Sequence, residues 1–93
     1  MVTLDFDLGE KKYVTATVRT ENENDVVIIN NEKTKWELYK SVTADPIASG
    51  SCLVTGDEVS ALIETTEKGN FVLKFTVAIG PEVIIEKCVI KVS

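Results

Sequence analysis

Apolar and polar residues alternate along two stretches near the start of the chain. From Lys12 to Thr20 one face carries Val14, Ala16 and Val18, and an earlier stretch has apolar residues at Val2, Leu4, Phe6 and Leu8. A period of two is what a β-strand shows when one face is buried and the other faces water. Both stretches therefore predict strands, and their threonines and valines favour a strand over a helix.

The middle of the chain contains predicted turns on either side of a predicted strand. The polar segment ENEND (21–25) predicts a turn that leads into VVII (26–29), and NNEK (30–33) predicts the next turn. TKWELYK (34–40) predicts a strand with Trp36 and Leu38 on one face and Tyr39 on the other. Around Asp45 and Pro46 we expect a turn or a sheet edge, because proline donates no backbone hydrogen bond.

Two further strands are predicted around a short turn. Residues 49–54 and 58–65 flank the turn TGD (55–57), where glycine can adopt a positive φ. The segment from Glu58 to Thr65 is the one place where a helix competes, because it contains good helix formers. A strand is preferred there, since the run is short and includes valine, isoleucine and two threonines.

The closing stretch GNFVLKFTVAIGPEVIIEKCVIKVS predicts a hairpin that turns at Gly80 and Pro81. If Ile79 lies opposite Glu82, the register places Leu73 opposite Cys88. The same register puts Phe75 opposite Glu86, a charged residue on a face that should be buried. It therefore predicts either a bulge at residues 85–87 or a Glu86 side chain that turns up at the rim.

The two faces of this hairpin differ in their expected roles. The core face is predicted to comprise Phe71, Leu73, Phe75, Val77, Cys88, Ile90 and Val92. The outer face is more apolar than a fully solvated strand, because it carries Val72, Val83, Ile85 and Val89. Exposed apolar patches mark interaction sites, so these four residues form a candidate interaction surface, with the outward tyrosines Tyr13 and Tyr39 as further candidates.

Short strands with a turn signal every dozen or so residues predict an all-β fold. We expect an immunoglobulin-like antiparallel β-sandwich of seven or eight strands, formed by residues 1–93 as a single domain. Trp36 occupies the position of a core tryptophan in that fold. The Cys-Trp-Cys order of antibody domains is absent because Cys52 and Cys88 both follow Trp36, which puts an antibody-type disulfide in doubt.

Composition and charge narrow the classes of function. The net charge is -5, and no basic run is present to neutralise phosphates, which argues against nucleic-acid binding and against an anionic membrane surface. The closing stretch is too charged for a membrane helix. The chain contains no histidine, so the commonest general base and metal ligand is missing, and we predict no enzyme, no metal and no cofactor.

The cysteines and the amino-terminal segment indicate the compartment. MVTLDFDLGEKK lacks the basic start and unbroken apolar run of a secretory signal, so we expect synthesis in the cytoplasm without a signal peptide. In that compartment Cys52 and Cys88 are expected to be separate buried thiols. A structural disulfide is the next alternative, and a reactive nucleophile ranks last because no histidine can activate either sulfur.

For the other candidate sites a purely structural role is favoured over a functional one. Trp36 could stack on a sugar, but its parity with Leu38 favours the core. The carboxylates of ENEND could bind Ca²⁺, but the spacing of a calcium-binding loop is absent and a solvated turn is favoured. A ligand- or carbohydrate-binding module would use Tyr13, Tyr39 or the loop at residues 42–49, and a coplanar exposed aromatic pair would support it.

The order of elements resembles a known group of modules. The segments that carry the resemblance are LGEKKYVTATVRT, VVIINNEKTKWELYK and ASGSCLVTGDEVSALIETTEKGNFVLKFTVAIGPEVIIEKCVIKV. They resemble the small immunoglobulin-like modules of tailed bacteriophages and prophages, including the amino-terminal module of baseplate upper proteins. The most specific part is the closing order of a small-residue strand, a Gly-Asp turn, a strand, KGNFVLKFTV and a final hairpin.

The resemblance implies a non-enzymatic structural component of a phage or prophage tail or virion. Its partner would be another protein or a second copy of the chain, with edge pairing at high concentration. The alternative from a different class is a small ligand- or carbohydrate-binding sandwich module. No functional residue is carried over from the resemblance, because it consists of strands and turns.

Overall fold

The computed structural model describes residues 2–18, 28–40 and 45–93. The secondary structure of these residues consists of strands and turns, which confirms the all-β prediction. The described residues form eight strands: β1 (Thr3–Phe6), β2 (Lys11–Thr17), β3 (Lys35–Lys40), β4 (Ala48–Ser51), β5 (Leu53–Thr55), β6 (Glu58–Glu64), β7 (Gly69–Ile79) and β8 (Glu82–Val92). Strand β6 confirms the strand preferred for this segment over a helix, because the alternating valine, alanine and isoleucine side chains of β6 are buried on one face.

The strands form two sheets around one hydrophobic core. The five-stranded sheet has the order β1-β8-β7-β3-β4, and the three-stranded sheet has the order β2-β6-β5. Both sheets contribute to one buried cluster, including Val59 and Ile63 from the small sheet and Leu73 and Phe75 from the large one. Burial of these apolar side chains supplies the main driving force for folding.

The closing hairpin has the predicted register. Ile79 lies opposite Glu82, Leu73 opposite Cys88 and Phe71 opposite Ile90, and all the predicted core residues of the hairpin are buried. The pairing of β7 with β8 continues without a break past Glu86, so the bulge, one of the two predicted alternatives, was wrong. Glu86 is exposed. Because β1 begins its pairing with β8 only at Val89, Glu86 lies on an edge of the sheet where its carboxylate reaches water.

One strand pair departs from the predicted antiparallel arrangement. β1 runs parallel to β8, with Thr3 opposite Val89 and Phe6 opposite Val92. The Val89 amide donates to the Val2 carbonyl at 2.9 Å, and the Leu8 amide donates to the Ser93 carbonyl at 3.1 Å. Val2 and Leu8 therefore contribute backbone hydrogen bonds to β8, while their side chains are exposed. Of the predicted apolar face only Leu4 and Phe6 pack inward.

The strand predicted at residues 49–54 is two strands in different sheets. β4 pairs with β3 in the large sheet, and β5 pairs with β6 in the small sheet. Cys52 lies between them with its side chain buried, and its amide donates to the Thr34 carbonyl at 3.4 Å. The chain crosses from one sheet to the other at this residue, so a single run of alternation spans two strands.

The turn before β3 is confirmed at residues 31–33. The Asn30 side-chain oxygen accepts from the amide of Glu32 at 3.0 Å and from that of Lys33 at 3.3 Å, which is the local bonding that makes asparagine a turn residue. Residues 28–30 form no strand, although Ile29 is buried. ENEND, Val26 and Val27 lie outside the described residues.

Two buried threonines connect loops to the sheets. The Thr34 hydroxyl donates to the Asn30 carbonyl at 2.7 Å and accepts from the Ala78 amide at 3.2 Å. The Thr65 hydroxyl donates to the Asp7 carbonyl at 2.8 Å and accepts from the Gly9 amide at 3.1 Å. The Thr34 hydroxyl therefore gives the buried Ala78 amide its hydrogen-bond partner, and the Thr65 hydroxyl adds a second bond to the loop at residues 7–10.

Trp36 is half-buried rather than fully in the core. It packs against the core cluster and lies directly opposite Gly50 of the edge strand β4. A side chain at residue 50 would collide with the indole, because an added Cβ would lie 2.9 Å from its Nε1 atom. The glycine is therefore required by the close approach of the ring.

Candidate interaction surface

The four outer-face residues predicted on the closing hairpin lie on the same face of the large sheet but form two areas. Val72 lies directly opposite Val89, and both are half-buried. Val83 and Ile85 lie nearer the hairpin turn and are 64% and 47% exposed. The strongly exposed part of the predicted surface is therefore the half of β8 near the turn.

A charged row separates these two areas. Lys74 lies opposite both Lys87 and Glu37, and its Nζ is 3.4 Å from Glu37 Oε1. The same ammonium lies over the Tyr39 ring at 5.4 Å from its centroid. The Tyr39 side chain, and secondarily Glu37, raises the pKa of Lys74, which keeps it charged. Tyr39 is half-buried beneath this cation, so it is less accessible than the pattern predicted.

Tyr13 lies on the other sheet. It is 58% exposed on the outer face of β2, directly opposite Leu62 of β6. Because the two sheets pack on a common core, Tyr13 and Tyr39 face away from each other and do not form one aromatic platform. The small sheet has its own apolar surface, since Leu62 is 39% exposed and Leu53 is 58% exposed.

Leu53 and Leu62 were absent from the predicted surface. Alternation from the buried Val59 would have placed Leu62 outside, but the possible helix at this segment obscured the signal. Leu53 follows the crossing at Cys52, where the sequence shows no change of sheet. Alternation from the buried Cys52 would have placed Leu53 on an outer face, but it could not show that this face belongs to the small sheet.

The first half of β8 is an open sheet edge. In the part of the chain that the structure describes, β7 is the only strand that pairs with residues 82–88. The Val89 amide donates toward β1, so the odd-numbered residues of β8 direct their backbone groups to that side. Val83, Ile85 and Lys87 consequently point their N–H and C=O groups at the open edge, beside two exposed apolar side chains.

A cavity between the sheets is too small for a sizeable ligand. Its volume is about 70 Å³, and it is lined by residues that include Leu38, Ile63 and Phe71. It could hold roughly two water molecules. From the loop predicted as a ligand site, Ile47 is exposed while its amide donates to the Leu38 carbonyl at 2.8 Å; residues 42–44 lie outside the described ranges.

Both cysteines are buried free thiols in the structure. Burial raises the pKa of Cys52 to about 11 and also raises the pKa of Cys88. A raised pKa disfavours the thiolate, which is the nucleophilic form and the form that binds metals. Residues 2–18, 28–40 and 45–93 bring together no group of three cysteine or acidic side chains able to hold a metal ion.

Comparison with known proteins gave no match: no protein-family model, no curated protein and no solved structure matches this chain. Within the described residues there is no helix with the length and apolar character needed to cross a bilayer.

Proposed function

We propose that the chain is a non-enzymatic structural module that binds another protein, as part of a phage or prophage tail or virion. The observation that carries the proposal is the open edge of β8, where backbone groups that no other described strand pairs with lie beside the exposed side chains of Val83 and Ile85. Partners commonly add an extended segment to such an edge, with backbone hydrogen bonds giving affinity and side chains giving specificity.

We further propose that the two sheets form an immunoglobulin-like sandwich. The orders β2-β6-β5 and β8-β7-β3 correspond to the B-E-D and G-F-C orders of that fold, and the tryptophan lies on the third strand. The sequence resemblance to phage modules supports the same fold. The first strand departs from the constant-type arrangement, because it pairs with the last strand instead of joining β2.

The side chains at the edge define what a partner strand should present. Its outward side chains would lie beside Val83, Ile85 and Lys87, so apolar residues followed by a carboxylate would fit. The neighbouring Lys74 is already paired with Glu37, so Lys87 is the cation on this row that a partner carboxylate would meet. The alternative, a carbohydrate-binding module, would require an aromatic platform, and Tyr13 and Tyr39 lie on opposite sheets.

Incorporation into particles tests this function. A tagged copy would be produced in bacteria that carry the proposed phage or prophage. After induction of the phage, its particles or tails would be purified by density gradient. We expect the wild-type chain to sediment with the particles and the Val83→Lys/Ile85→Lys variant to be lost from them. Asn70→Lys, which adds one exposed lysine at the other end of the same face, is the control and should be retained. A wild-type chain that stays with free protein, or a double variant that is incorporated normally, would overturn the proposal.

A further inference from the structure

We infer that two copies of this chain pair along β2, independently of the β8 edge. Among the described residues only β6 pairs with β2, which makes β2 an edge strand of the small sheet, and its outer-face residues Lys11, Tyr13, Thr15 and Thr17 are all exposed. Antiparallel pairing of two β2 strands joins two three-stranded sheets into one sheet of six strands, with a twofold axis between the copies.

The backbone of β2 is arranged for such pairing. The Val18 amide donates to the Asp57 carbonyl at 2.8 Å, and the Thr65 amide donates to the Glu10 carbonyl at 2.9 Å. In an antiparallel ladder, residues alternate between bonding to one neighbour and to the other. Even-numbered residues of β2 therefore bond to β6, while Lys11, Tyr13, Thr15 and Thr17 direct their N–H and C=O groups to the edge.

One register uses all of these edge groups. It places Lys11 opposite Thr17 of the second copy and Tyr13 opposite Thr15 of the second copy, with the twofold axis beside Val14. A shift by two residues in either direction leaves part of the edge without a partner. Unpaired strand edges are the usual sites of strand addition, so the fully overlapping register is favoured.

The charges are complementary in this register. Within one chain Thr17 lies opposite Glu58, and Lys11 lies opposite Glu64, with 4.0 Å between the charged groups of the lysine and Glu64. Across the new sheet the outer face therefore reads Glu58, Thr17, then Lys11 and Glu64 of the second copy. Lys11 of each copy lies between two carboxylates, with only the small Thr17 between it and the new one. The twofold axis repeats the arrangement, which makes β2 a complement to itself.

The apolar surface of the small sheet also converges on the axis. Tyr13 and Leu62 lie opposite each other in one chain, and both are exposed. The register brings the two Tyr13 side chains into diagonal neighbouring positions, within reach of each other. Pairing would cover part of these rings and of Leu62. A strand from a different protein would have to supply both the apolar contact to Tyr13 and a carboxylate near Lys11. A second copy of this chain already provides both.

Sedimentation equilibrium on the full chain tests the dimer and its charges. An interface of one strand per copy is at the weak end of the range, so the measurement should extend to about 1 mM. We expect a monomer–dimer equilibrium that Glu58→Lys weakens by about tenfold, because two symmetry-related attractions between Glu58 and Lys11 become repulsions. The Lys11→Glu/Glu58→Lys double variant should restore association. Glu82→Lys changes net charge equally at the hairpin turn and should leave the equilibrium unchanged.

Engineered cysteines test the register. A mixture of Tyr13→Cys and Thr15→Cys chains places the new thiols directly opposite each other, with Cα atoms about 5.5 Å apart, a separation that a disulfide can span. The mixture should therefore cross-link much faster than Thr15→Cys alone, where the thiols are diagonal. A strict monomer at about 1 mM, a Glu58→Lys variant that dimerises as well as wild type, or equal cross-linking by Thr15→Cys alone would each overturn the proposal. If the Val83→Lys/Ile85→Lys variant dimerises as well as wild type, the β8 edge is not part of the dimer interface.

Discussion

Replacing Gly50 with alanine would test how closely Trp36 packs on the edge strand β4. The two residues are directly opposite each other, and an added Cβ would lie 2.9 Å from the indole Nε1 and 3.0 Å from Cε2. Favourable contacts between carbon atoms occur at about 3.5–4.0 Å. The indole is rigid and half-buried against the core, so it can relieve the overlap only by moving away from its packing partners.

The magnitude follows from two opposing effects. Gly50 is not among the glycines with positive φ, so alanine fits its backbone and should by itself stabilise the chain by about 0.5–1 kcal/mol through the unfolded state. Overpacking a packed site costs about 1–3 kcal/mol. We expect a net loss of about 1–2 kcal/mol in the free energy of unfolding, which lowers Tm by roughly 5–15 °C in a domain of this size.

Thermal unfolding would be followed by circular dichroism and by the fluorescence of Trp36, the only tryptophan. A double-mutant cycle with Trp36→Val isolates the clash, because Gly50→Ala should be neutral or stabilising once the indole is removed. Gly56→Ala is the control: its φ is +59° and no atom lies within 4 Å of the added Cβ, so its cost should not depend on Trp36. A Gly50→Ala chain as stable as wild type, or equally destabilised in both backgrounds, would refute the reasoning.

Three other predictions follow from buried or charged groups. Thr34→Val keeps the shape of the side chain but removes the hydroxyl that bridges Asn30 and Ala78. Urea unfolding should show that the free energy of unfolding falls by about 1–3 kcal/mol, and hydrogen exchange of the Ala78 amide should become faster. Unchanged exchange would contradict this role. Cys52 and Cys88 should react slowly with a disulfide reagent at pH 8 while the chain is native, because both thiols are buried and burial raises the pKa of each. In urea both should react completely. A rapid reaction of the native chain would contradict the burial. The Asp7 amide lowers the pKa of Glu10 below its ordinary 4.5, so the stabilisation from its charge is present above that pH and is lost as the pH falls through the folded value. The stability difference between wild type and Glu10→Gln, followed by acid titration, should therefore shrink below pH 4.5 and would be constant if the charge had no role.

The closing hairpin could be predicted in detail because its turn and its pattern agree. The break at Gly80 and Pro81 restricts how the strands can pair, and a register slip of one residue would have exposed every aromatic side chain of β7. The alternation of Phe71, Leu73 and Phe75 therefore determined both the buried face and the partner positions. The same reasoning correctly assigned β2 and β6 from their valines and isoleucines.

The partner of β1 and the crossing at Cys52 could not be predicted in this way. Alternation shows which face of a strand is buried, but it carries no information about the neighbouring strand or its direction. Phe6 is buried as expected, yet nothing in its own segment indicates the parallel pairing with Val92. For the surface, the pattern found Val83 and Ile85, whereas the open edge beside them depends on where β1 begins to pair.

The parallel pairing of β1 with β8 determines how the domain responds to mechanical force. If the chain is pulled at its first and last strands, β1 is drawn toward its amino end and β8 toward its carboxyl end. Because the strands run in the same direction, they slide past each other, and the hydrogen bonds from Val89 to Val2 and from Ser93 to Phe6 are strained together. An antiparallel pair would separate one bond at a time. The domain is therefore arranged to resist tension along its length.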